Sequence, residues 1–259
     1  MSATKSIRSV ALDLLVAVQF LTRIPLPNLP YDQGSLARAA KFFPVVGLLI
    51  GCAAALLHLM LAPHLSRLLT ALLVIVFLVA VTGCLHEDGL ADAADGFGGG
   101  ASREQILLIF KDSRIGSYGG TALSLSLLAR VCLLAALPLP LVPQYLIASH
   151  VLCRWTTLPL SYYLAPARNQ SDDAATGQGA RIARLTTRGT LIFGSLCTVA
   201  ICILVLRARA LAAIGATVLV TLVTALYYQR KLSGVTGDCF GATNQLAEIT
   251  VYLTGAWIL

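Results

Sequence analysis

Residues 68–100 read LLTALLVIVFLVAVTGCL followed by HEDGLADAADGFGGG, and this stretch carries the strongest signals of both fold and function. Its first part, Leu68 to Leu85, is an uncharged run of 18 residues, long enough to cross a bilayer as a helix. The second part, His86 to Gly100, begins at once with several carboxylates, which do not belong inside lipid. The stretch therefore predicts a membrane helix that ends in an acidic segment.

The acidic segment has helical spacing. Asp88, Asp92 and Asp95 stand at i, i+4 and i+7, so a helix would place all three carboxylates on one face. Like charges at this spacing repel one another, and a bound cation would relieve the repulsion. Mg²⁺ takes carboxylate oxygens while keeping positions for water and phosphate. The spacing thus predicts a magnesium site at the mouth of a membrane bundle.

Composition places the whole chain in the membrane. Of its 259 residues, 57% are hydrophobic and 12% are charged, against about 25% charged in a soluble domain. The apolar runs are long and do not alternate, which favours helices over barrel strands. Although the formal charge is +7, the cations lie in short loops between apolar runs, where they act as topology signals. We therefore expect a lipid bilayer as partner and no nucleic acid.

Seven apolar runs predict seven crossings: Phe42–Ala62, Leu68–Leu85, Ser117–Leu137, Leu141–Leu164, Gly189–Leu206, Ala210–Tyr228 and Thr243–Leu259. Ahead of them, Val10 to Leu21 is apolar but contains Asp13 and is followed by no cleavage-site pattern, so we expect a retained interfacial or re-entrant helix. The fold class predicted is all-α. It is a polytopic integral membrane helical bundle, a single domain over residues 1–259, with about seven transmembrane helices plus the N-terminal helix.

The connecting segments also carry predictions. GFGGG at residues 96–100 is expected to be a flexible hinge, and Ser102 to Phe110 a short amphipathic helix capped by Ser102. We expect a surface loop over Ala165 to Arg188 and a polar loop over Gln229 to Gly241, with Asp238 in a tight turn.

The loops have a strong charge asymmetry. Those at 22–41, 86–116, 165–188 and 229–242 fall on one side and hold twelve Lys and Arg residues, against three on the other side, Arg67, Arg207 and Arg209. By the positive-inside rule the richer side is cytoplasmic. The acidic segment is therefore expected to face the cytoplasm of a cell (inner) membrane.

Cations follow the acidic segment directly. Lys111 and Arg114, together with metal-binding carboxylates, form the usual set for phosphoryl transfer, in which positioning and charge neutralisation dominate catalysis. Taken alone, these two residues fit equally well as ordinary cytoplasmic loop cations. The glycines at 116, 119 and 120 fit either an anion-binding turn or close helix packing.

Three polar residues are expected within the membrane helices. Asn244 and Glu248 lie one turn apart on the last helix, and a glutamate there marks either a functional site or a partner for Arg154 or Arg130. Arg154 lies too deep to reach the interface, so it needs a buried partner, either a carboxylate or an anionic substrate.

With these residues in view, the chain resembles the cobalamin synthase family, the adenosylcobinamide-GDP ribazoletransferases. The likeness covers nearly the whole length through FLTRIPLP at 20–27, FFPVVGLLIG at 42–51, GCLHEDGLADAADGFGG at 83–99, KDSRIGSYGG at 111–120, the region of Arg154 and TGDCFGATNQLAE at 236–248. One departure is Glu87, where the family pattern HLDGLAD has an apolar residue. Because Glu87 points off the aspartate face, we expect the metal site to be unaffected.

The resemblance implies a Mg²⁺-dependent transferase of vitamin B12 coenzyme synthesis. Adenosylcobinamide-GDP and α-ribazole, or α-ribazole 5′-phosphate, would give adenosylcobalamin, or its 5′-phosphate, and GMP. Asp88, Asp92 and Asp95 would hold Mg²⁺ against the pyrophosphate. Further roles fall to the remaining residues: Lys111, Arg114 and Arg154 neutralise phosphate oxygens, Asp238 joins the metal shell or acts as general base, and Asn244 and Glu248 support it.

Two other classes of membrane protein share some of these features. A CDP-alcohol phosphotransferase also uses aspartates at a cytoplasmic membrane face, but this chain lacks the Ala-Arg and the glycine spacing of that family's motif. A cation transporter would use Asp92, Asp95 and Glu248 as an ion path, yet transport predicts acids spread through the mid-membrane. The sequence leaves the oligomeric state open, a homo-oligomer included.

Overall fold

The computed structural model describes residues 2–27, 29, 32, 34–168 and 177–257. Within them the chain forms thirteen α-helices: α1 Ser2–Leu21, α2 Ser35–Ala39, α3 Phe43–Leu61, α4 Arg67–Thr82, α5 Leu85–Gly99, α6 Arg103–Ile109, α7 Ser117–Ala136, α8 Val142–Trp155, α9 Thr157–Tyr163, α10 Gln178–Leu185, α11 Arg188–Leu206, α12 Ala210–Leu232 and α13 Gly237–Trp257. Short 3₁₀ turns join α2 to α3 and α11 to α12, and a third precedes α8. No β-strand occurs among these residues, which confirms the all-helical fold class.

Several helices are long and apolar enough to cross a bilayer. Three stretches qualify by length and composition within the described chain: Ser35–Leu61, Ser117–Ala136 and Arg188–Leu232, the last comprising both α11 and α12. The pair α4 and α5 adds a fourth only if counted together, and it is bent by 89°. The predicted number of about seven crossings therefore stays a prediction.

The bend between α4 and α5 has a local cause. Gly83 ends α4 with φ 63°, and Cys84 follows with φ 60°, so two successive residues adopt the left-handed conformation. Glycine is required at the first position for a further reason, because a Cβ there would collide with the side chain of Arg23. The acidic helix α5 consequently turns sharply away from the apolar run of α4.

Close backbone contact between α3 and α8 holds the centre of the bundle. A Cβ on Gly47 would collide with the carbonyl oxygen of His150, and one on Gly51 would lie 2.7 Å from the Cα of Ile147. Small residues at such crossings let helices approach closely in membranes, where packing replaces the hydrophobic effect as the driving force. Buried apolar side chains from α1 to α13 complete one contiguous core around this contact.

Two expectations about helical segments were wrong in detail. Residues 96–99 are helical rather than a hinge, because the ring of Phe110 lies against Gly96 and that of Tyr118 against Gly98. The predicted span Leu141–Leu164 is divided at Thr156, where Pro159 has no N–H to offer the carbonyl of Trp155.

The two polar loops are also shorter in the structure than the sequence predicts. The loop predicted over Gln229–Gly241 is reduced to residues 233–236, because α12 continues to Leu232 and α13 begins at Gly237. The predicted surface loop Ala165–Arg188 contains α10, and its residues 169–176 lie outside the described chain. In contrast, the Ser102 cap is confirmed, since its hydroxyl accepts a hydrogen bond from the N–H of Gln105.

We predict that Gly47→Ala lowers the free energy of unfolding by about 1–3 kcal/mol, because the added methyl group overpacks the α3–α8 contact. The measurement is the thermal midpoint of the detergent-solubilised protein. Gly215→Ala is the matched control, since no atom lies within 4 Å of a Cβ built there. Equal midpoints for the two variants would contradict this account of the packing.

Candidate active site

The acidic segment forms the helix expected of it. In α5 the carboxyl groups of Asp88, Asp92 and Asp95 share the exposed to half-buried side, while His86 and Glu87 are buried. The prediction that Glu87 points off the aspartate face is therefore confirmed. Asp88 is exposed and the other two aspartates are partly covered, so the face is open to ligands along its length.

Two glycines bring a fourth aspartate to this face. Helix α5 crosses the first turns of α13 at Gly89 and Gly241, where a Cβ on Gly89 would lie 3.1 Å from the Cα of Gly241 and 3.2 Å from the carbonyl oxygen of Asp238. Glycine at both positions allows the helix backbones to approach this closely without displacement. Asp238 consequently lies in the first turn of α13 rather than in a tight turn of a loop, and next to the α5 acids.

The four acids are close enough to alter one another's ionisation. Helix α5 lies beyond the apolar run of α4, at the polar end of the bundle. Partial burial, followed by the charges of Asp238, Asp88 and Asp95, raises the pKa of Asp92 to about 7. A carboxyl group whose pKa is raised first by burial and then by neighbouring carboxylates belongs to a cluster with more negative charge than the protein compensates. A cation placed among these groups would remove the conflict.

Asp95 has an additional role in the structure. Its Oδ2 accepts a hydrogen bond from the N–H of Gly116 (2.7 Å), and its Oδ1 accepts one from the N–H of Gly119 (2.8 Å). These groups begin α7, so the Asp95 carboxylate caps that helix. A Cβ at either glycine would collide with the carboxylate. Asp95, rather than a phosphate, thus occupies the anion-binding turn that the glycines suggested.

The cluster suits a magnesium ion that retains open positions. Over the described residues, which include all four aspartates, no three of these carboxylates bring ligand oxygens within 4.8 Å of one another. A cage of three direct carboxylate ligands is therefore not formed. Mg²⁺ is commonly held by one or two carboxylates, with water and substrate phosphates filling the rest of its shell. The donor set and its uncompensated charge fit that mode of binding.

The two cations predicted to bind phosphate, Lys111 and Arg114, differ from each other in their surroundings. Lys111 is exposed. Arg114 is also exposed and makes a bidentate hydrogen-bonded pair with Asp112, at 2.6 Å for the shortest contact, and this pair lowers the pKa of Asp112 to about 2. Within the described chain Arg114 is thus already paired, whereas Lys111 takes part in no ion pair.

Sequence reasoning missed Arg168 as a site residue. The segment before it is fixed by hydrogen bonds between the Ala167 N–H and the Val235 carbonyl (2.9 Å) and between the Val235 N–H and the Ala165 carbonyl (2.8 Å). This pairing places the positive charge of Arg168 near Asp238, and its buried Nε has no partner in the described chain. The sequence showed Arg168 only as one of twelve cations in loops predicted to be cytoplasmic, because the pairing between two loops has no local signal.

Arg103 fixes the same pair of loops. Its guanidinium donates to the carbonyl of Leu232 (2.8 Å), at the end of α12, and to the carbonyl of Ala167. A side chain that sequence analysis counted as a topology signal therefore supports the position of Arg168.

A buried ionic network lies beneath the aspartates. Arg130 of α7, which is 1% exposed, donates to Glu87 of α5 (2.7 Å), to Glu248 of α13 (3.0 Å) and to the Gln245 side chain (3.1 Å). Of the two interpretations of Glu248, the geometry favours the partner of Arg130. Glu87, the departure from the family pattern, is the second carboxylate of this network.

Arg154 and Asn244 also lie inside the bundle. Arg154 is 2% exposed, and its donors meet Nδ1 of His150 (2.9 Å) and the carbonyl oxygen of the same residue (3.2 Å). No described carboxylate lies within 4 Å of it. The amide nitrogen of Asn244 is buried without a hydrogen-bond partner among the described groups. Arg154, Asn244 and Glu248 are therefore all buried inside the bundle and do not lie on the exposed aspartate face.

One group of metal-type side chains occurs inside this network. Ligand atoms of His150, Cys153 and Glu248 lie within 4.8 Å of one another. Because Arg154 can only donate, the Nδ1 it contacts must be the acceptor, which places the imidazole proton on Nε2, the atom that faces Glu248 at 3.9 Å. A protonated nitrogen beside a guanidinium is a poor metal ligand, so this group acts as a polar core.

A cavity of about 220 Å³ opens beside the acidic crossing. Asp88 and Asp238 form its polar edge, and the rings of Phe20, Phe43 and Phe240 line its interior. A wider groove of about 560 Å³, bounded by α1 and α4, adjoins it and shares Phe20 as a wall. The acid cluster thus lies between an apolar chamber and the charge of Arg168.

Comparison with known proteins agrees with this site. The profile of the cobalamin-5-phosphate synthase family matches residues 13–256. The chain is 42% identical over 257 residues to the adenosylcobinamide-GDP ribazoletransferase of Sinorhizobium medicae (92% of this chain and 94% of that protein). It is 40% identical over 264 residues to that of Mesorhizobium japonicum (98% and 96%), and 36% identical over 249 residues to that of Vibrio cholerae (92% and 91%).

No solved structure matches the chain significantly. The family match and the relatives each cover nearly its whole length, and the relatives are named as transferases. The chain therefore belongs to the cobalamin-5-phosphate synthase family and is a transferase.

Proposed function

We propose that the chain joins adenosylcobinamide-GDP to α-ribazole, or to α-ribazole 5′-phosphate, and releases GMP. The observation that carries the proposal is the glycine crossing of α5 and α13, which places Asp88 and Asp92 against Asp238 beside a chamber and a cation. Phosphoryl transfer requires little more than such positioning and charge neutralisation. The names of the relatives supply the two substrates.

Asp88, Asp92 and Asp95 are the residues proposed to hold Mg²⁺, with Asp95 limited to the lone pairs that capping α7 leaves free. The ion, when bound, would neutralise charge on the pyrophosphate oxygens. Asp88 and Asp92 present carboxylates without a competing partner among the described residues, so they are the better direct ligands. Asp238 either completes this shell or serves as general base.

The transfer itself exchanges one phosphorus–oxygen bond for another. A ribose hydroxyl oxygen of the acceptor attacks the cobinamide-bound phosphorus, and the bond from that phosphorus to the bridging oxygen breaks as GMP leaves. The hydroxyl proton passes to a carboxylate, for which we assign Asp238, because it lies at the edge of the chamber. Lys111, Arg114 and Arg168 would neutralise the phosphate oxygens that gain charge.

The buried residues support this site from below. Arg130 binds α5, α7 and α13 together through Glu87 and Glu248, so it fixes the helices that carry the aspartates. Arg154 adds a second buried positive charge, and Asn244 lies two turns after Asp238 on the same helix. These residues fix the positions of the helices and contribute to the electrostatic field at the site. They do not contact the reacting atoms.

We further propose that the bundle crosses a cell (inner) membrane about seven times and that α1 lies at its interface. Support comes from the apolar helices and from the twelve to three excess of cations in alternate loops. This topology places the aspartate cluster at the cytoplasmic face, where both water-soluble nucleotide groups are accessible.

Asp92→Asn should abolish GMP release and leave the protein folded, because it removes a ligand oxygen and a charge but no packing group. The measurement is GMP release from adenosylcobinamide-GDP and α-ribazole over a titration of Mg²⁺. Asp32→Asn, an exposed carboxylate paired with Arg38, is the control and should retain wild-type turnover. Unchanged turnover of Asp92→Asn at saturating Mg²⁺ would exclude Asp92 from the site.

Asp95→Asn should differ from Asp92→Asn in stability. The amide group would face one of the two N–H donors with a donor of its own, so we expect a loss of about 1–3 kcal/mol. In the absence of Mg²⁺, Asp92→Asn should hold or raise the thermal midpoint, because it relieves repulsion in the cluster. A lower midpoint for Asp92→Asn than for Asp95→Asn would contradict the assigned cap.

Arg168→Gln should lower kcat/KM by about 10²- to 10³-fold, the usual cost of removing one charge-stabilising donor. Arg67→Gln, on the side of the bundle assigned as opposite, should remain within twofold of the wild type, an order-of-magnitude bound for residues outside the site. Both are measured in the GMP-release assay. A large loss for Arg67→Gln would mean that the assigned sidedness is wrong.

A further inference from the structure

The chamber beside the acid cluster has a divided chemistry. Three aromatic rings, those of Phe20, Phe43 and Phe240, line it, and the first two stack with centroids 5.7 Å apart and planes 22° apart. Its polar lining residues are Asp88 and Asp238, together with His86, Thr157 and Gln178. No Lys or Arg side chain is among its described lining residues. The chamber therefore suits a flat, uncharged ring system that carries hydroxyl groups at one end.

Size excludes the larger substrate. A volume of about 220 Å³ is smaller than the roughly 300–1,000 Å³ of pockets that bury drug-sized ligands. A corrin macrocycle with its side chains cannot enter such a space, whereas a nucleoside base with its ribose partly outside can. Residues of α1, α3, α5, α9, α10 and α13 line the chamber.

Charge favours the acceptor over the nucleotide half of that substrate. A guanine ring would fit the aromatic lining, but the described lining of the chamber holds no Lys or Arg that could join the proposed Mg²⁺ in neutralising a diphosphate. Arg168 and Lys111 do not line the chamber. Both instead line a separate pocket together with Arg103. The two pockets thus separate an uncharged aromatic ligand from an anionic one.

We propose that this chamber is the binding site of the acceptor nucleoside, with the aromatic base of α-ribazole between Phe20 and Phe240 and its ribose directed at Asp238. The inference rests on the proposed function, since it assigns one of the two substrates of that reaction. It places the attacking hydroxyl at the carboxylate assigned as general base. The diphosphate of the other substrate then approaches from the side of Arg168.

The test is two-substrate kinetics on chamber variants. Ile182 of α10 lines the chamber, so Ile182→Trp fills it and should raise the KM for α-ribazole by at least about tenfold, the usual effect of obstructing a hydrophobic pocket. The KM for adenosylcobinamide-GDP should stay within about twofold. The matched control is Ile192→Trp on the exposed side of α11, where Ile192 is 48% exposed, and both constants should stay at wild-type values.

A milder variant keeps the test valid if Ile182→Trp does not fold. Phe20→Leu removes one aromatic wall and should raise the KM for α-ribazole by about threefold to tenfold, in line with the energy of one aromatic contact. Calorimetric titration of the detergent-solubilised protein with α-ribazole alone should show the same weakening of the dissociation constant.

Several results would overturn the assignment. Folded variants that keep wild-type KM for α-ribazole would show that the chamber holds something else, such as an acyl chain, while the proposed function would stand. A rise confined to the KM for adenosylcobinamide-GDP would assign the chamber to the nucleotide instead. Absence of product with the wild-type protein would overturn the proposed function, and this inference with it.

Discussion

The close crossing of α5 over α13 is the constraint on which the rest of the site depends. Gly89 and Gly241 allow the two backbones to touch, and a Cβ at either position would lie 3.0–3.1 Å from the Cα of the other, so the helices would have to shift apart slightly. The contact between Gly89 and Gly241 does not by itself fix how α5 and α13 are rotated about their axes. That is set one layer deeper, where Arg130 of α7 binds Glu87 of α5 and Glu248 of α13 at 2.7 and 3.0 Å. A steric contact and a buried ion pair network therefore act together on the same two helices.

This network explains why an additional acid, Glu87, is tolerated beside the aspartate face. Arg130 and Arg154 are both buried, and Glu87 and Glu248 balance their two positive charges. In a protein interior, removal of one member of such a network typically costs about 3–5 kcal/mol, because the remaining charge is left unpaired. An apolar residue in place of Glu87 would leave this interior with one uncompensated positive charge. Glu87 thus balances positive charge in the core, whereas its neighbour Asp88 lies on the exposed acidic face.

The sequence predicted what depends on local pattern and missed what depends on long-range pairing. The helical spacing of Asp88, Asp92 and Asp95, the Ser102 cap and the apolar runs are local, and in the described chain they are mostly helical, apart from breaks such as the one at Thr156. The start of α13 at Gly237 was missed, because glycine and threonine normally indicate a loop and here serve a helix crossing. Arg168 is placed by hydrogen bonds between residues 165–167 and Val235, and the cap on α7 comes from Asp95, 21 residues before Gly116. Neither arrangement leaves a periodic signal.

Long-range contacts, which the spacing does not show, also explain why the four aspartates differ in their roles. Spacing alone makes Asp88, Asp92 and Asp95 equivalent, but their surroundings differ. Asp95 is engaged by two backbone donors of α7, Asp88 faces the chamber, and Asp92 lies between them with its pKa raised to about 7. A carboxylate already satisfied by hydrogen bonds gains less from a cation than one held among like charges. The proposed divalent ion would therefore bind at the Asp88 and Asp92 end of the helix, where the crossing supplies Asp238. Asp95 instead caps α7 and so helps to orient the helix that carries Arg130.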